Sequence, residues 1–138
     1  MLMSNPLIYP MAAHVGLAAL LYALLTVARA PSVWGIGRRP DGTNPWRSIE
    51  PRISANLSNQ FEWPVFFYVA CLISFQQRMT EGPQLWLAWL FIAGRLAHSG
   101  VQIFGRSVRL RGIVFAVNFG AVVAMWVSLL VAQSRGAG

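Results

Sequence analysis

The sequence predicts an all-α integral membrane protein: a single domain, residues 1–138, built as a bundle of four transmembrane helices. Three observations carry this. Apolar residues make up 56% of the chain and charged residues only 11%, where a soluble domain carries about 25% charged residues. Four apolar runs reach the roughly 20 residues that a spanning helix needs. The charge is also partitioned. Eleven arginines, no lysine and four acidic residues give a formal net charge of +7, and most of the arginines lie between the apolar runs.

The first run covers about residues 7–28. Ala28-Arg29-Ala30 resembles a signal-peptidase site, but the run lacks a basic leader, is long, and would be cut just before Pro31. It is read as a retained helix. A loop of about 29–52 follows, with Arg29, Arg38, Arg39, Arg47 and Arg52, and its centre, Gly37-Arg-Arg-Pro-Asp-Gly42, is turn chemistry. The second span covers about 53–75. Pro64 within it removes a backbone donor and is expected to bend the helix near residue 60. Arg78, Glu81 and Pro83 lie in a short connection to the third span, about 85–104. A loop of about 105–112, with Arg106, Arg109 and Arg111, precedes the fourth span, about 113–132.

Arginine-rich loops stay in the cytoplasm, so loops 29–52 and 105–112 are expected there and both termini on the opposite side. Trp86 and Trp89 then belong to the outer aromatic belt, and Trp34 and Trp46 to the inner one. A basic chain can bind nucleic acid. Here the arginines sit in loops between membrane runs, and no nucleic-acid partner is expected. Basic charge carried by arginine alone suits GC-rich coding and points to a bacterial inner membrane. The lone Cys71 excludes an intramolecular disulfide and reads as a small core residue. Asn56-Leu-Ser58 matches a glycosylation sequon at the mouth of a membrane helix, where no transferase reaches. Gly35-Ile-Gly37 is no phosphate loop, and no residue cluster has metal-ligand spacing.

The chemistry is expected where polar groups interrupt apolar runs. An ionised group at mid-bilayer costs roughly 2.5–3.5 kcal/mol on insertion scales. On one continuous helix, Arg52, Asn56, Asn59 and Glu62 share roughly a third of the circumference. Arg95, His98 and Gln102 form a second such face on span three. Glu62 and Arg95 each lie roughly 13–14 Å from the cytoplasmic ends of their helices and are expected to pair. Such groups can serve as glue between helices. Their number, with Arg109 and Arg111 at the mouth, points instead to a cationic pocket for a small anion bearing an ammonium group. Arginine would clamp carboxylates and Glu62 would take the amine.

The ordered set Arg52, Asn59-Gln-Phe-Glu62, Pro64, Arg95-Leu-Ala-His98, Arg109 and Arg111 resembles the MAPEG family, the membrane-associated proteins in eicosanoid and glutathione metabolism. The likeness covers nearly the whole chain and is strongest over residues 52–115. It implies a homotrimer of four-helix subunits, with glutathione as thiol co-substrate bound between subunits near the cytosolic face and lipophilic substrates entering through the bilayer. Asn59 and Glu62 match the family's Asn-x-x-Glu, Arg52 its preceding basic residue, and Arg95 and His98 its Arg-x-x-His. Arg111, or alternatively Arg109, matches the arginine that stabilises the glutathione thiolate. Gln102 and Phe115 stand where many family enzymes carry tyrosine, and Gly112 where serine is common. The leading expectation is a transferase or peroxidase using glutathione, or a related low-molecular-weight thiol, on lipophilic electrophiles. The alternatives are a non-catalytic lipid- or glutathione-binding scaffold and a small transporter.

Overall fold

The structure, a computed structural model, describes residues 5–136, and all of its regular elements are helices. They are α1 (Ile8–Val33), α2 (Glu50–Ser58), α3 (Pro64–Gln76), α4 (Pro83–Phe104) and α5 (Val108–Gly136). Helices α1, α4 and α5 are long and apolar enough to cross a membrane. Helix α3, with 13 residues, rises only about 20 Å, short of the roughly 30 Å hydrocarbon core. The expectation of one continuous helix over 53–75 is therefore corrected. That run is α2, a non-helical stretch over 59–63, and α3 in series.

The break has a local cause. Pro64 is the first residue of α3. It has no N–H for the carbonyl of residue 60, and its ring crowds that carbonyl, whereas at the first helical position both properties are harmless. Short turn bonds close α2, from the Gln60 N–H to the Leu57 carbonyl and from the Phe61 N–H to the Ser58 carbonyl, both 3.0 Å. The last helix also differs from expectation, because α5 begins inside the stretch read as a loop. The Ser107 hydroxyl accepts the Leu110 N–H at 3.2 Å, an N-cap that starts the helix early. Arg109 and Arg111 thus lie in the first turns of α5 rather than in a loop.

Helix α1 buries Pro10, His14, Leu17, Leu21, Leu25, Ala28 and Pro31, a three-and-four spacing that makes one narrow stripe. Its outer faces remain uncovered. One core joins Phe67, Ala70 and Cys71 of α3 to Ala88, Phe91 and Ile92 of α4 and Ala121, Val122, Met125 and Leu129 of α5. Phe67 and Phe91 stack there with centroids 4.3 Å apart. A second core joins α1 to Ile53 and Leu57 of α2 and Ile103 of α4. In lipid such packing acts through close contact more than through water exclusion, so small residues at crossings matter. Gly94 is one: a Cβ there would lie 2.5 Å from Oδ1 of the fully buried Asn118 on α5.

The α1–α2 connection is tied down by polar contacts outside the bilayer. Arg29 pairs with Glu50 at 2.7 Å, and Asn44 Nδ2 donates to the Ala28 carbonyl at 2.9 Å. Asp41 accepts from the Thr43 side chain and backbone, and these two bonds hold its carboxyl below the usual carboxylate range. The turn's contribution is thus full at neutral pH and fades only as pH falls through that lowered value.

Candidate functional site

The helix break and the two helices beside it flank an open cleft. Its walls are Asn59 at the break, His98 and Gln102 of α4, and Val108, Arg111, Gly112 and Phe115 of α5. Its volume is about 500 Å³, inside the usual 300–1,000 Å³ of ligand pockets. The only ionised side chain in the lining is Arg111. The N-terminal end of α5 lies in the same wall, and a helix N-terminus adds partial positive charge. The charge presented to the cleft is therefore positive.

Non-helical backbone at membrane depth persists only where its polar groups find partners. Arg95, 1% exposed, supplies one. Its NH2 group donates to the Asn59 carbonyl at 2.9 Å and its Nε to Gln60 Oε1 at 3.1 Å. Gln60 in turn donates through Nε2 to Oδ1 of Asn56 at 3.1 Å and to the Asn56 carbonyl at 3.2 Å. The Oε1 of Gln102 takes Asn56 Nδ2 at 2.8 Å, Asn59 Nδ2 at 3.2 Å and His98 Nε2 at 3.0 Å. Asn56 is fully buried in this network, and its sequon is inaccessible.

Four residues expected in the site, Asn59, His98, Gln102 and Arg111, meet in this one cleft. The others lie elsewhere. Arg95 is behind the wall, holding the break. Arg52 donates to the Ile103 carbonyl at 3.3 Å and the Gly105 carbonyl at 3.5 Å, which places its charge at the C-terminal, negative end of α4. Arg109 is exposed and outside the lining. Glu62 is exposed, and the expected Glu62–Arg95 pair does not form; the ion pair found among the described residues is Arg29–Glu50. The wheel that put Glu62 beside Arg95 assumed an unbroken helix, and the stretch over 59–63 resets the phase.

Two members of the network were missed. Gln60 is 2% exposed and His14, on α1, is also 2% exposed. His14 Nε2 lies 3.0 Å from Gln60 Oε1 and its Nδ1 lies 2.8 Å from the Tyr68 hydroxyl. A histidine in an apolar run announces polarity, but its partner is 46 positions away. No spacing rule reaches that far.

A membrane-spanning helical protein with an arginine-bearing cleft at a helix break is the class these features define. The sequence profile of the MAPEG family matches residues 7–131, and the chain belongs to that family. It is thus a multi-pass integral membrane protein with a glutathione-related function. No curated protein and no solved structure matches the chain.

Proposed function

We propose that this protein is a glutathione-dependent transferase or peroxidase acting on lipophilic electrophiles from the bilayer. The observation that carries the proposal is the shared cleft of Arg111, Asn59, His98 and Gln102, cationic and free of carboxylates. Glutathione presents two carboxylates and a thiol that is mostly protonated at neutral pH. Arg111 favours the ionised sulfur electrostatically. The thiol proton passes to water, the thiolate attacks the electrophilic atom, and the leaving group departs with the displaced electron pair. With a hydroperoxide, the thiolate attacks the distal oxygen, the O–O bond breaks, the alkoxide takes a proton from water and leaves as the alcohol, and a second glutathione thiol converts the sulfenic acid to the disulfide and water. The amides of Asn59 and Gln102 and the His98 ring position the tripeptide. Arg52 and Arg95 act from behind the wall on the backbone that carries these groups.

The cleft is open; Phe115 in its lining is exposed, as are Ile113 two positions before it on α5 and Glu62 three positions after Asn59. A homotrimer supplies the missing wall, with Glu62 holding the ligand's ammonium from the adjacent subunit. Native mass spectrometry in mild detergent tests this, and a monomer as the sole species would refute the shared site. The arginines of the α1–α2 connection, with Arg106, Arg109 and Arg111 around the start of α5, orient the cleft toward the cytoplasm of a bacterial inner membrane. Maleimide labelling of Ser48→Cys from only the outer side would refute that orientation.

A second reading has its own support. The lining contains no side-chain hydroxyl; Val108, Gly112 and Phe115 accompany Arg111 in the α5 wall. Such a cleft can bind glutathione, or a lipid headgroup, without fast turnover. Calorimetric titration of glutathione into the purified protein, followed by thiol-dependent turnover of a model electrophile, separates the two. Binding with turnover supports the enzyme, binding alone supports the scaffold, and absence of binding overturns both glutathione readings.

A further inference from the structure

Hydrogen bonds in the buried network are directional, and one member cannot be reversed. A guanidinium has five donors and no acceptor. Arg95 Nε faces a Gln60 side-chain atom at 3.1 Å, so that atom must be the oxygen. The Gln60 NH2 group therefore faces the Asn56 backbone carbonyl at 3.2 Å, Ser99 Oγ at 3.4 Å and an Asn56 side-chain atom at 3.1 Å, which is Oδ1 because a second NH2 group at that distance would set donor against donor. That turns Asn56 Nδ2 toward Gln102, 2.8 Å away, and requires Gln102 to present Oε1. His98 Nε2 lies 3.0 Å from the same oxygen. An oxygen with no proton can only accept, so Nε2 carries the imidazole proton.

We propose that Arg95 is a positioning residue whose donor-only guanidinium, acting through Gln60, Asn56 and Gln102, holds the His98 proton on Nε2 and turns the Gln102 NH2 group into the cleft. Two further observations agree. His98 Nδ1 is buried without a partner. A bare ring nitrogen there is a tolerable unmet acceptor, whereas the other tautomer would bury an orphan N–H and set a lone pair against Gln102 Oε1. Gln102 Nε2 makes no hydrogen bond among the described residues and is not among the buried unpartnered atoms, while Gln102 lines the cleft. The amine side of the amide therefore faces the space that Arg111 also faces.

The same logic runs toward α1. Gln60 Oε1 forces His14 Nε2 to donate as well, leaving His14 Nδ1 to accept the Tyr68 hydroxyl proton at 2.8 Å. Gln60 is thus held from two helices, and its amide cannot turn without breaking both bonds. For the cleft, the consequence is specificity. With Gln102 Nε2 and Arg111 both donating, the ligand atom between them must be an acceptor, a carboxylate oxygen or a thiolate sulfur. A carbonyl at position 102 would repel the same atom. This consequence for ligand choice rests on the glutathione reading; the order of protons does not.

The test changes one atom. Gln60→Glu keeps shape and keeps an oxygen for Arg95, whose charge holds the new carboxylate ionised, but replaces the donor facing Asn56 by an acceptor. The amides of Asn56 and Gln102, and with Gln102 that of Asn59, should then turn over, and the His98 proton should move. Nitrogen-15 NMR of ring-labelled histidine at pH 8, where an imidazole is ordinarily neutral, reads this directly through one-bond N–H couplings. Wild-type protein should show the His98 proton on Nε2, and Gln60→Glu on Nδ1. Glutathione affinity should fall about tenfold in the variant, the effect of losing one hydrogen bond to a charged partner. A wild-type proton on Nδ1 overturns the proposal even if the variant does not fold, and so does an unmoved proton in a folded variant. Failure of glutathione to bind wild-type protein overturns the functional reading instead and leaves the tautomer result standing.

Discussion

Replacing Arg111 by alanine should lower thiol-dependent turnover about 100-fold, within the range seen when one preorganised donor to a developing anion is removed. Glutathione affinity should change far less. Arg111 is the only ionised side chain lining the cleft, whereas Asn59, His98 and Gln102 remain to hold the tripeptide. A residue whose main partner is the thiolate lowers kcat and kcat/KM together, and one that binds bound and reacting forms equally raises KM alone. Arg109→Ala should be mild, because Arg109 is exposed and outside the lining. The check is steady-state kinetics with a model electrophile alongside calorimetric affinity. Equal turnover in wild type and both variants would remove Arg111 from the chemistry.

Arg95→Met should cost the fold about 3 kcal/mol, the order expected when hydrogen bonds to a charged group are lost and a buried acceptor is left bare. Arg95 is 1% exposed and bonds both the Asn59 carbonyl and Gln60 Oε1. Methionine fills the space but leaves that carbonyl unpartnered at a helix break within the membrane, where water does not replace the bond. Arg95→Lys should not rescue it, because one ammonium cannot reproduce the two-pronged geometry. Glu62→Gln should leave the subunit's stability nearly unchanged, since Glu62 is exposed and makes no ion pair among the described residues. Thermal unfolding in detergent, read by circular dichroism, compares the three variants. An unchanged Tm for Arg95→Met would mean that the break is held by other groups.

These two arginines illustrate how much of the site was legible. Both stood out for the same reason, a charge beside or within an apolar run. Composition could not separate their roles, because exposure and partners depend on which neighbours the helices bring. Arg111 reaches the cleft because Ser107 starts α5 early and sets its phase. Arg95 bonds the Asn59 carbonyl, which the non-helical stretch over 59–63 leaves without a helical partner. Glu62 was misplaced through Pro64. That proline begins a second helix after Ser58 rather than bending a continuous one, so angles counted from Asn56 no longer hold at Glu62. His14 and Gln60 went unread as partners because their contact joins α1 to the break across the bundle.

By itself, the sequence determined the class of protein, the number and rough extent of the apolar runs, and the arginine asymmetry between loops. Those properties follow from composition and from distance along the chain, which the bilayer reads residue by residue as transfer energy. Only the tertiary structure decided that the second run is two helices, that Asn59, His98, Gln102 and Arg111 share one cleft, and that Arg95 works from behind it. The physical reason is that a broken helix loses its angular register. After five residues outside the helix, the direction of each later side chain is set by packing and hydrogen bonding against other helices, and no periodicity in the sequence carries that information.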